Sequence, residues 1–160
     1  MDKTILVDLQ PPRIEEGRSF WVAGISQQYP CDNVTGIPEQ WQRLCPYLDK
    51  LSCRIGEECY GVGHGADDAG HFDYMCAVEV SEDGELPPEF VRVQIKEQKY
   101  AVFTHTEHIS TIGRTWNEIL TKWLPASGYE YARVPNFELI GKDFDGETGL
   151  GGVEIWIPIK

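Results

Sequence analysis

At 160 residues, with 41% apolar side chains and five Trp, seven Tyr and six Phe, the chain carries enough apolar surface for one folded domain, and this composition argues against disorder. Fourteen basic against 26 acidic residues give a net charge of -12, a field that repels phosphate backbones and anionic bilayers and draws cations, so neither nucleic acid nor membrane is expected as a direct partner. No apolar run approaches the roughly 20 residues of a spanning helix, no basic and apolar leader follows Met1, and five cysteines without a CxxC pair read as reduced thiols of a cytosolic protein.

Residues 13–28, RIEEGRSFWVAGISQQ, have the dense apolar centre Phe20-Trp21-Val22-Ala23 and read as a strand. Pro38 then opens a helical pattern, with Trp41, Leu44 and Leu48 at helix spacing and Glu39 at the positive end of the dipole. Pro46 should kink that helix or start a second short turn, because it removes a backbone donor. Strands are expected over 58–64 and 71–80, parted by the turn-rich stretch 65–70, and beyond the polar connection 81–88 a long or bulged strand runs over 90–106. A helix over 109–124 puts Ile112, Trp116, Ile119, Leu120 and Trp123 on one face and stops at Pro125 and Gly128. Strands over 136–142 and 153–160 close the chain around the loop 143–152. The order strand, helix, strand, strand thus occurs twice, in halves of about 1–80 and 89–160. This implies a single α+β domain in which two such units join their strands into one sheet carrying both helices.

The free face of that sheet either meets solvent or lines a cleft, and its residues decide the function. Strand alternation sends Phe137 and Leu139 one way and Glu138 and Ile140 the other; in the closing strand Val153, Ile155 and Ile157 oppose Glu154 and Trp156. A carboxylate beside aromatic rings suits a bulky organic cation, each ring contributing about 0.5 to 2 kcal/mol; the same pattern also fits a solvated strand glutamate. Trp41, Trp116 and Trp123 lie at helical core spacing and read as packing, whereas Trp21 and Trp156, on strands, stay open as pocket walls. His105 and His108 form an HxxH that straddles a strand-to-helix junction, so it reads as capping, and no metal or cofactor is expected. The run GVGHG at 61–65 lacks the GK[ST] ending of a phosphate loop, and no Ser or Cys sits in a nucleophile elbow, so no catalytic residue is assigned.

The segments HFDYMCAVEV (71–80), YAVFTHTEHISTIGRTWNEILTKWLP (100–125), NFELIGKDF (136–144) and GGVEIWIPIK (151–160) resemble the bacterial effector-binding domain family. This is the gyrase-inhibitory-protein-like domain that also follows AraC-type DNA-binding modules in transcription regulators. The resemblance spans nearly the whole chain and implies duplicated strand-helix-strand-strand units forming an antiparallel sheet with two helices and a central ligand cleft. It implies that Glu138, in the FE motif, lies at the bottom of that cleft, where many members hold lipophilic cations in multidrug binding. Trp21, Tyr60, Tyr74 and Trp156 are the candidate walls, and Ile140 stands where relatives often place an aromatic, which removes one stacking surface. With the resemblance running nearly from Met1 onward, no DNA-binding helix-turn-helix module is expected.

Three functions compete on these residues. The leading one is sensing or sequestration of an amphipathic, cationic small molecule at Glu138. The second is a small-molecule hydrolase with Glu138 as general base and Tyr60 or Tyr74 as proton donor. The third is an acidic interaction module docking on a basic protein partner, such as a DNA-handling enzyme or a separate regulator.

Overall fold

A computed structural model of the chain describes residues 11–30, 33, 35–64, 70–141, 144–145, 148–151 and 153–160. The described elements are β1 (Arg13–Gly17), β2 (Phe20–Pro30), α1 (Ile37–Leu44), β3 (Arg54–His64), β4 (His71–Val80), β5 (Val91–Ile95), β6 (Gln98–His105), α2 (Ile112–Glu118), α3 (Leu124–Ser127), β7 (Asn136–Ile140) and β8 (Val153–Pro158). A π-helical segment, Ile119–Trp123, joins α2 to α3. Most of the turn expected over 65–70, part of the loop 143–152, and Cys31 lie outside the described residues. Among the described residues no helix is long and apolar enough to cross a membrane.

All eight strands form one antiparallel sheet in the order β1-β6-β8-β7-β3-β4-β2-β5. The two segments expected as single long strands are each divided. Residues 13–28 break at Arg18 and Ser19, because β1 pairs with β6 while β2 pairs with β4 and β5; residues 90–106 break at Lys96 and Glu97, because β5 pairs with β2 while β6 pairs with β1 and β8. Each half therefore sends its first strand to the edge of the other half. Strand β3 starts earlier than expected, at Arg54, and carries an irregularity between Arg54 and Cys59, with Gly56 at φ +76.

Both faces of the sheet are packed. On one, Phe20, Tyr60, Tyr100, Phe137 and Trp156 form an aromatic core with Val22, Val62, Met75 and Ala77. Phe20 on β2 and Phe137 on β7 are three strands apart, roughly 14 Å in a flat sheet, yet their rings lie 6.0 Å apart. The sheet is therefore strongly curled toward this face. On the outer face α1 packs through Leu44 and Trp41 on Ile25, Tyr29, Tyr74 and Cys76. The second helix packs through Ile112, Trp116 and Ile119 on Phe103, Ile155 and Ile157. Leu120, expected on the buried stripe, is instead exposed, because at about 100° per residue it falls at the margin of the stripe that Ile112, Trp116, Ile119 and Trp123 define. Pro46 falls in a 3-10 turn, Cys45–Tyr47, that follows α1.

Candidate functional site

On the helix-bearing face α1 packs on β2 and β4 and α2 on β6 and β8, so the central strands β3 and β7 are left as the floor of the trough between the two helices. The ladder fixes what lies there. Phe103, Ile155, Glu138, Gly61, Cys76 and Ile25 are successive partners across six strands and so share the helix-bearing face. Phe103 and Ile155 lie under α2, and Cys76 and Ile25 under α1. Glu138 and Gly61 occupy the middle of the row.

Four side chains meet at that point. Trp116 Nε1, from α2, donates to Oε2 of Glu138 at 2.7 Å. The Tyr74 hydroxyl, from β4, also donates to the Glu138 carboxyl, and Trp41 Nε1, from α1, donates to Tyr74 Oη at 3.1 Å. The chain of donors runs from both helices and ends on one acid. Burial raises the Glu138 carboxyl from an ordinary 4.5 to about 6, and the bonds from Trp116 and Tyr74 oppose that rise. Burial first, then the charge on Glu138, push the Tyr74 phenol well above its usual range. Among the described residues no Lys, Arg or His forms an ion pair with Glu138. A partly buried acid held only by neutral donors is an unbalanced charge, which a protein interior retains at a cost.

Each helix is seated by a buried polar side chain next to its tryptophan. Gln40 accepts from Tyr29 Oη at 2.7 Å and donates to the carbonyls of Ile25 and Tyr74, both at 2.8 Å. In α2 the corresponding residue is Thr115, whose hydroxyl lies 2.8 Å from His105 Nδ1, while His105 Nε2 lies 2.9 Å from the His108 carbonyl. That carbonyl can only accept, so Nε2 carries a proton. His105 therefore anchors the start of α2.

Of the residues expected at the site, Glu138, Tyr74 and Ile140 lie on the trough face, Ile140 half-buried and paired with Cys59 and Val153. The other three are placed elsewhere. Trp156 pairs with Phe137, not Glu138, and so points into the opposite face. There its ring stacks on Phe137 at 5.2 Å, its indole donates to Glu154, and the Arg13 guanidinium lies 5.8 Å from its centroid. Tyr60 is buried on that same face against Phe20 and Phe137. Trp21 shares the helix-bearing face but packs at its far end with Leu48, Leu51 and Phe90. Conversely Trp41 and Trp116, read from periodicity as packing, supply the indole donors. A signal for them exists in the frame Ile37-x-x-Gln40-Trp41-x-x-Leu44, which recurs as Ile112-x-x-Thr115-Trp116-x-x-Ile119. A hollow of about 400 Å³ lined by Arg43, Pro46, Tyr47, Lys50 and Glu89 lies on the surface beyond α1 and shares no residue with the Glu138 cluster.

A family model described as a GyrI-like small molecule binding domain matches residues 10–160. The transcriptional regulator BrlR of Pseudomonas aeruginosa is 30% identical over 149 residues, which is 92% of this chain and 54% of BrlR. The chain thus spans about half the length of that relative. Among solved structures, SAV2435 bound to tetraphenylphosphonium has a TM-score of 0.71 at 21% identity, with 94% of each chain covered. The C-terminal domain of EcmrR has a TM-score of 0.67 at 14% identity, covering 96% of this chain and 99% of that one. These structures establish the same fold, a curled antiparallel eight-stranded sheet with two helices. Since the family match runs over almost the whole sequence, the chain belongs to the GyrI-like small molecule binding domain family.

Proposed function

We propose that this small-molecule binding domain captures amphipathic organic cations in the trough between α1 and α2, with Glu138 as the anionic anchor and Tyr74, Trp41, Trp116 and Ile140 beside it. One observation carries the reading: Glu138 is a sheltered carboxylate without a cationic partner among the described residues, so a guest's positive charge supplies what the fold omits. The acidic net charge favours approach of such a guest. The tetraphenylphosphonium held by SAV2435 suggests the reagent. Titration of tetraphenylphosphonium and of the neutral triphenylphosphine oxide, followed by tryptophan fluorescence, should give selective binding of the cation. Glu138→Gln should weaken that binding at least tenfold. Equal affinity for both compounds, or full affinity in Glu138→Gln, would refute the reading.

We place the domain in the cytosol, where Cys45, Cys53, Cys59 and Cys76, all free thiols, stay reduced. Capture would serve as the input to a transcription regulator, as the match to half of BrlR suggests, with the regulator acting as the protein partner. A second reading rests on the same carboxyl: an acid ionising near 6 and bonded to a phenol is suited to act as a general base on water. Turnover of electrophilic small molecules, lost in Glu138→Gln while binding survives, would favour this hydrolase over a simple receptor.

A further inference from the structure

The oxygen of Glu138 that faces α2 already has an occupant, because the Trp116 indole donates to it at 2.7 Å, within the short range of bonds to ionised acceptors. Building on the cation capture proposed above, we infer that Trp116 is the chain's own competitor for this carboxylate and sets which guests are admitted. A neutral guest that displaces the indole puts at best another neutral donor in its place, and one without an N–H or O–H puts none, so it gains nothing. A cation exchanges a neutral donor for a full charge and gains the difference. The bond thus acts as a threshold that passes charge and rejects bare shape.

The backbone supports such an exchange. Trp116 stands where α2 gives way to the π segment, and the Ile119 N–H is shared between the Thr115 and Trp116 carbonyls. The α-helical ladder thus gives way one turn after the indole, and such breaks are where helices adjust most readily. Trp41, at the matching place in α1, bonds to Tyr74 rather than to the acid, and provides an internal control.

Trp116→Phe keeps a ring in the wall and deletes the N–H. At pH 8, where Glu138 is ionised, this variant should bind tetraphenylphosphonium about tenfold more tightly than wild type, the equivalent of one bond to a charged group. It should also gain affinity for triphenylphosphine oxide, while Trp123→Phe, a ring packed on Phe103 and Tyr129 outside the site, leaves both affinities within about twofold. Unchanged or weaker phosphonium binding in a Trp116→Phe protein with wild-type circular dichroism would make Trp116 a wall only and overturn the inference. A measurement on the wild-type chain covers a variant that fails to fold. On saturation with phosphonium, the Trp116 indole N–H resonance should leave its hydrogen-bonded position and exchange faster with solvent, and that of Trp41 should not. A Trp116 resonance that stays put overturns the inference even where Glu138-dependent binding holds. A wild-type chain that does not bind phosphonium at all overturns both readings together.

Discussion

Tyr74 reaches Glu138 only because Gly61 stands between them without a side chain. A Cβ at Gly61 would collide with the Tyr74 hydroxyl and lie 3.1 Å from Glu138 Oε1. The central strand β3 leaves this space so that a donor on β4 can cross to an acid on β7. Gly61→Ala is expected to force Tyr74 back, destabilise the fold by about 1–3 kcal/mol through overpacking, and raise the Glu138 carboxyl above about 6 by removing a donor. Urea unfolding and a carboxyl NMR titration check both effects. Tyr74→Phe should reproduce the ionisation change without the steric strain.

Protonation of Glu138 links the site to stability and to binding in opposite senses. The acid ionises near 6 in the folded chain against an ordinary 4.5, so its contribution to stability is fully present below about 4.5 and is lost as pH rises through about 6, a difference of about 2 kcal/mol. Glu138→Gln should therefore be more stable than wild type by about that amount at pH 8, with the gap closing at pH 4.5, as thermal or urea unfolding at both pH values would reveal. Cation binding runs the other way, weakening by about tenfold per pH unit below about 6 as the anchor is neutralised.

Gln40 satisfies three buried groups at once: the Tyr29 hydroxyl and the carbonyls of Ile25 and Tyr74. Gln40→Leu keeps the volume but strands all three, and should cost about 2–4 kcal/mol in urea unfolding. Tyr29→Phe, which removes only one of these bonds, should cost about 1 kcal/mol.

Trp156 lies across the sheet from Glu138, stacked on Phe137. Trp156→Ala should thus cost about 3 kcal/mol of stability by opening the aromatic core. Under conditions where the variant is folded, its phosphonium affinity should stay within about twofold of wild type. A tenfold loss of affinity in the folded variant would return Trp156 to the binding site.

How far the sequence could be read follows from which relationships are local. Alternation within 136–140 places Glu138 and Ile140 on one face, and alternation within 153–158 separates Trp156 from Ile155. It does not say which faces of the two strands coincide. That depends on register, here Glu138 opposite Ile155, and a shift by one residue would have put Trp156 beside the acid. The breaks at Arg18–Ser19 and Lys96–Glu97 were hidden for a related reason, since a change of hydrogen-bonding partner is a long-range event with little local signature. Helical periodicity correctly packed the rings of Trp41 and Trp116 against the sheet but is blind to an indole N–H, so one residue can pack on a core and serve the site together.

The crossing of β1 and β5 to opposite margins makes the two halves mutually dependent. Severed within 81–88, neither fragment would possess its own hem: each would hold a loose ribbon that fits only the other piece. Fragments made separately should stay frayed apart and reassemble on mixing, like a garment buttoned along both sides. By the same logic, a half-length precursor of such a chain would have had to associate in pairs before it could have any trough.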